Sequence, residues 1–235
     1  MSTTPLLFLP GLLCDAAVWA PQMAALGRNA MVAAYGSADT LGEMAEIALA
    51  AAPPGRFALA GHSMGGRVAF EVLRRAPERV ERLALLDTGI APLAAGDAGE
   101  TEKAGRLRLL ALAREQGMRA MAADWAQGMV HESRLGGPVF EAVLDMFERR
   151  TADIFAAQIH ALLHRPDATP LLAGIACPTL VLTGEHDRWS PPDTHRRIQA
   201  GIPGSRLVLV PGSGHMTTME EPAAVTAALA AWLSA

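Results

Sequence analysis

The chain has 235 residues, 51% of them hydrophobic and 19% charged, with 24 acidic against 20 basic side chains and a net charge of −4. This mildly acidic balance gives no electrostatic footprint for nucleic acid or an anionic membrane, and no apolar run reaches the ~18 residues of a membrane span. The length suits one domain, or one domain with an insertion, burying about 70–75% of the unfolded surface without a disulfide or metal staple. Cys14 and Cys177 form no C-x-x-C spacing and read as reduced thiols. Residues 1–5 lack the basic start of a signal peptide, so the expected location is cytoplasmic.

Residues 6–9 are strand-like and end at Pro10-Gly11; residues 18–26 read as a helix. A strand over 30–35 and a helix over 40–51 follow. Residues 56–60 form a strand that runs into Gly61-His62-Ser63-Met64-Gly65, and a helix over 64–75 stops before Pro77. Residues 80–86 form the next strand. From 90 to about 173 no strand is convincing, but helical periodicity recurs over 107–115, 119–130, 139–149 and 154–163, with a break at Gly136-Gly137-Pro138. The alternation then resumes with a strand over 179–183, a helix over 194–200, a strand over 206–210 and a helix over 221–233. Continuously apolar strands alternating with helices predict an α/β fold: a parallel or nearly parallel sheet of about six strands, covered on both faces. Residues 1–89 and 174–235 would form the core, and 90–173 a helical cap over the C-terminal edge of the sheet.

A serine flanked by glycines at −2 and +2, between a strand and a helix, is the pattern of a sharp turn that lifts the hydroxyl above the sheet. The hydroxyl is a weak nucleophile until a base takes its proton, and the base needs a group to orient it. Two later strands end in suitable residues. Residues 179–183 lead into Gly184-Glu185-His186-Asp187, and residues 206–210 into Pro211-Gly212-Ser213-Gly214-His215. Strand C-termini are where open α/β sheets build their sites.

With Leu9-Pro10-Gly11-Leu12, these segments resemble the α/β-hydrolase superfamily, in its small esterase/lactonase-like branch. The resemblance implies the α/β-hydrolase fold, with Ser63 as nucleophile, His215 as base and then acid, and Asp187 orienting the imidazole. It implies an oxyanion hole from the backbone N–H groups of Leu12 and Met64, and acyl transfer with neither metal nor cofactor. Pro10 stands where many members have histidine. Typical members begin with an antiparallel hairpin before the strand that feeds this loop; here that strand starts almost at once, so a trimmed sheet is expected.

Each assignment has a rival. Asp87 also closes a strand, but Asp187 has the Gly-x-x-Asp context. Asp193 is expected to cap the helix near 194. His62 would pack beside the turn, and His186 and His195 would lie on loops or the surface. His131 has no evident partner. His160 and His164, four apart, could share a metal but lack a third ligand, so a plain helix face is the simpler reading. Trp19, Trp125, Met129 and Trp189 are candidates for an acyl pocket, together with Met118, Met121 and Met146, although Trp and Met are also ordinary core residues. The expected activity is hydrolysis of small to medium, largely apolar carboxylic esters. The alternative is an enol-lactonase or related lyase on a carboxylated substrate, which needs arginines in the pocket, with Arg67, Arg149, Arg165 and Arg188 as candidates. A ligand receptor on a hydrolase scaffold is the third reading. Dehalogenases and epoxide hydrolases would carry aspartate at position 63.

Overall fold

The computed structural model describes residues 4–27 and 29–234. Six strands occur among them: β1 (Leu6–Leu9), β2 (Ala30–Val32), β3 (Phe57–His62), β4 (Val80–Leu86), β5 (Thr179–Gly184) and β6 (Arg206–Val210). They form one sheet in the order β2-β1-β3-β4-β5-β6, every pair parallel. Every residue of β1, β3 and β5 is buried, which requires cover on both faces. The second strand stops at Val32, short of the expected residue 35. Its partner β1 ends at Leu9, and Pro10 has no N–H to extend the ladder.

Helices α1 (Ala20–Leu26), α2 (Leu41–Ala51) and α3 (Met64–Arg75) make the first crossovers. Strand order first steps outward from β1 to β2, then reverses through β3 towards β6. Right-handed crossovers therefore put α1 on one face and α2 and α3 on the other. The packing agrees. Helices α2 and α3 contact each other, α3 lies on β1, β3 and β4, and α1 meets the last helix instead. The order reverses between β1 and β3, and the crevice beyond their C-terminal ends is the expected ligand site.

Between β4 and β5 the described chain is helical: α4 (Asp97–Gln116), α5 (Met118–Trp125), α6 (Pro138–Glu148) and α7 (Ala152–Leu163), with α4 packed on α5 and α7, and α5 on α6. The first of these begins ten residues before the periodicity at 107. Its leading half, Asp97 to Arg106, is polar and carries no apolar stripe. The chain closes with α8 (Pro192–Gly201), α9 (Thr217–Glu220) and α10 (Pro222–Ser234), which packs on α1, β5 and β6. Because α8 starts at Pro192, Asp193 sits in its first turn and is not its cap. No helix among the described residues is long and apolar enough to cross a membrane.

Candidate active site

Ser63 joins β3 to α3 with φ 54° and ψ −117°, a left-handed backbone for a residue with a side chain. Leu13 and Asp87 are the other described non-glycine residues with positive φ, and both are close by in the fold. Each costs about 1–3 kcal/mol and persists only where its surroundings enforce it. For Ser63 the surroundings are hydrogen bonds: its N–H donates to Leu86 O (2.8 Å), and Thr88 Oγ1 donates to its carbonyl (2.7 Å). The flanking glycines are sterically required. A Cβ on Gly61 would lie 2.4 Å from Gly65 O, and one on Gly65 only 2.1 Å from Leu9 O.

The loops after β5 and β6 bring two more side chains to this turn. His215 Nε2 lies 2.8 Å from Ser63 Oγ, and its Nδ1 lies 2.9 Å from Asp187 Oδ2. The other oxygen of Asp187 accepts the N–H groups of Trp189 (2.8 Å) and Ser190 (2.9 Å), so its orientation is set by backbone. Burial alone would raise the Asp187 pKa. The charge and hydrogen bond of His215, with the two amides, pull it down to about 2. Burial alone would lower His215, but Asp187 overcomes it and holds the imidazole above its ordinary value. An ionised carboxylate therefore faces Nδ1–H, and Nε2 is left with a lone pair towards the serine hydroxyl.

Asp87 does not reach this relay. It is fully buried behind the turn, where it accepts from Gly184 N (3.3 Å) and pairs with Thr217 Oγ1. Burial, and then the charge of Asp187, hold its carboxyl well above the usual range. Its neighbour His62 is neutral, pushed down to about 3 by burial and then by His215. The 3.5 Å approach of these two side chains is therefore not an ion pair. His62 Nε2–H instead donates to the backbone carbonyl of His215 (2.9 Å), so it does pack beside the turn, as expected.

The sequence matches the alpha/beta hydrolase family over residues 5–229. The chain belongs to that family. A 2-hydroxy-6-oxononadienedioate/2-hydroxy-6-oxononatrienedioate hydrolase from Klebsiella pneumoniae is 33% identical over 165 residues, covering 69% of this chain and 57% of its own length. Among solved structures, a malate-bound thermophilic esterase from Thermogutta terrifontis superposes with a TM-score of 0.85 at 30% identity, over 99% of this chain and 90% of that one. The enol-lactonase of Burkholderia xenovorans LB400 superposes with a TM-score of 0.83 at 25% identity, over 99% and 92%.

Above the serine lies a cavity of about 430 Å³, the size of a small-molecule site. Ser63 and His215 form its floor with Gly11, Leu12 and Met64. The Met64 amide opens α3 and has no acceptor within the helix. The apolar wall comprises Trp125, Met129, Phe147, Phe155, Leu162 and Trp189. Trp189 stacks on Trp125 at 5.1 Å and leans over His215 at 5.0 Å. Three of the four pocket candidates, Trp125, Met129 and Trp189, thus line the cavity. Trp19 does not. It is fully buried beneath the loop after β1, stacked on Phe8 at 4.4 Å, and is a core residue. Met121 and Met146 are core as well, and Met118 packs against the core without reaching the cavity wall.

The cavity is also lined by cations. Arg67, Arg106, Arg108 and Arg165 line it, with Glu102 as its acidic member. Glu102 takes two hydrogen bonds from Arg165 (2.7 and 2.8 Å) and two from Arg106 (2.9 and 3.0 Å), and Arg108 pairs with Asp124. Arg67 has no carboxylate within ion-pair distance among the described residues. It donates to Ala91 O at 2.9 Å. Burial, and then Arg165, lower it to about 9. Two sequence candidates fall away: Arg149 pairs with Asp15 at the surface, and Arg188 is exposed outside the cavity. Arg106 and Arg108 carry no motif that would have singled them out.

The remaining histidines divide. His186 is exposed, as expected of a loop residue, and its ring meets that of His131 edge-on at 4.5 Å. His195 is not a surface residue. It is fully buried, and its Nε2 accepts the N–H of Thr88, bracing the turn after β4. The rings of His160 and His164 meet at a tilt, 4.2 Å apart, and spend their Nδ1 atoms on the carbonyls of Asp39 and His160. Both cysteines are unpaired, and burial pushes the Cys14 thiol up to about 12.

Proposed function

We propose that this protein is a serine hydrolase of the carboxylesterase type, cleaving small to medium carboxylic esters through an acyl-enzyme. The carrying observation is the continuous relay from Ser63 Oγ through His215 to Asp187, at 2.8 and 2.9 Å, on a strained turn at the cavity floor. Ser63 Oγ attacks the ester carbonyl carbon as its proton passes to His215 Nε2. The imidazolium is held by Asp187. The carbonyl oxygen, now anionic, takes hydrogen bonds from the amides of Leu12 and Met64. Collapse expels the alcohol, which leaves with the proton from His215. Water repeats the sequence on the acyl-enzyme, releasing the acid and restoring Ser63. The test is labelling by a fluorophosphonate followed by peptide mapping, alongside turnover of short-chain aryl esters. Modification anywhere but Ser63, or turnover without modification, would sink the proposal.

A second reading concerns the acyl portion. The unpaired Arg67 favours a substrate with a carboxylate remote from the scissile bond, as in the enol-lactonase alternative. The similar esterase solved with malate and the hydrolase named for a nonadienedioate both involve dicarboxylates by name, which supports the same reading. A hydrogen bond to a charged group contributes about 1.5–3 kcal/mol. Arg67→Met should therefore lower kcat/KM for a hemiester of a dicarboxylic acid by about 10- to 100-fold relative to the matching neutral ester. An unchanged ratio between the two esters would rule out this role.

A further inference from the structure

Glu220 is buried at the end of α9, outside the cavity, and does not touch Ser63 or Asp187. One of its oxygens accepts the N–H groups of Gly214 and Met216, each at 3.0 Å. These are the residues on either side of His215. Its other oxygen accepts the N–H of His131 at 2.7 Å, in the helical insertion. The clamp has close company. His215 N–H donates to Met129 O at 2.6 Å, and Arg134 pairs with Glu221. A Cβ on Gly214 would stand 2.6 Å from Met129 O and 2.9 Å from His131 N, so the two backbones are in direct contact.

A carboxylate accepting three amides is a costly way to fill a turn unless the geometry it enforces matters. What it enforces is the position of the histidine between two of those amides. We infer that Glu220 is a positioning residue: it holds the His215 loop in register with Ser63 and ties that loop to segment 129–131 of the insertion. The inference rests on Ser63 and His215 being the reacting pair.

Glu220 also acts through charge. The charged or titratable groups facing His215 are Asp187, Asp87, His62, His195 and Glu220, and those facing Glu220 are His131 and His215. A negative Glu220 favours the imidazolium, and burial holds its own carboxyl above the ordinary value. On acidification, the wild-type enzyme loses its neutral base sooner than an enzyme without this charge.

Two variants separate position from charge. In Glu220→Gln the amide oxygen still serves Gly214 and Met216, but the NH2 group meets His131 N–H, donor against donor, and the charge is gone. We expect kcat for an aryl ester to fall roughly 10- to 100-fold with KM within about threefold, since small misplacements of a catalytic group have effects of this order. The acid limb of kcat/KM should move to lower pH. Glu220→Asp keeps the charge on a shorter arm, so kcat should fall while the acid limb stays in place. Wild-type kcat with an unmoved limb in Glu220→Gln overturns the inference, as does an equal loss at every pH. If Glu220→Gln does not fold, Glu220→Asp decides alone, and a wild-type rate of fluorophosphonate labelling overturns it. Failure of the wild-type enzyme to label at Ser63 would instead strike the proposed function.

Discussion

Ser63→Ala is expected to abolish ester turnover, with kcat falling by a factor on the order of 10⁴–10⁶ and KM nearly unchanged. The methyl group leaves the relay without its proposed nucleophile but retains the left-handed turn, because the bonds from Ser63 N to Leu86 O and from Thr88 Oγ1 to Ser63 O are made by the backbone at position 63. The variant should therefore fold and bind ligand like wild type. The checking measurement is steady-state hydrolysis beside ligand-induced thermal shift. Activity within a few-fold of wild type would remove Ser63 from the mechanism.

The second large effect separates two aspartates. Asp187→Asn should cost about 10⁴ in kcat. The geometry explains why an isosteric change is so damaging. One oxygen of Asp187 is claimed by the amides of Trp189 and Ser190, so the asparagine must keep its carbonyl there and turn its NH2 group to His215. That donor forces Nδ1 to accept and moves the imidazole proton to Nε2, where it blocks proton transfer from Ser63. Asp87→Asn should cost less than about tenfold, because Asp87 makes no hydrogen bond to the His215 ring or to Ser63 and an amide can keep the contacts to Gly184 and Thr217. Parallel pH–rate profiles of the two variants check the pair. Equal losses would show that Asp87 shares the orienting role.

The contrast between these aspartates also shows what could be read from sequence. Ser63, Asp187 and His215 each follow an apolar strand, and a parallel sheet gathers strand ends at one edge, so chain order alone brings them together. Asp87 meets the same criterion. It is separated from Asp187 by where its side chain turns after β4, which depends on packing with Thr217 and His62 that no local pattern encodes. Trp19 and Trp125 look equivalent as residues, yet one stacks on Phe8 in the core and the other on Trp189 at the cavity. Arg106 and Arg108 lie on α4, where charge is spread around the helix. Which arginines face inward is settled by how α4 docks on α5 and α7. Glu220 is hard to read from sequence because its partners are backbone amides, which carry no sequence signature; an acid in the short helix just beyond His215 is the available hint. His195 is illegible for a related reason: its acceptor role for Thr88 N–H arises only when α8 brings it against the turn after β4.

The helices between β4 and β5 do more than roof the cavity. Gln158 on α7 accepts the N–H of Leu13 at 2.8 Å, Arg150 donates to Cys14 O at 2.8 Å, and Arg149 grips Asp15. All three contacts land on the residues immediately after Leu12. A transplant of these helices from a relative, made to import a new substrate range, would remove the braces from the loop proposed to receive the carbonyl oxygen. Selectivity and turnover would shift together in such a chimera, and a graft that kept positions 149, 150 and 158 would be the one able to change the first while sparing the second.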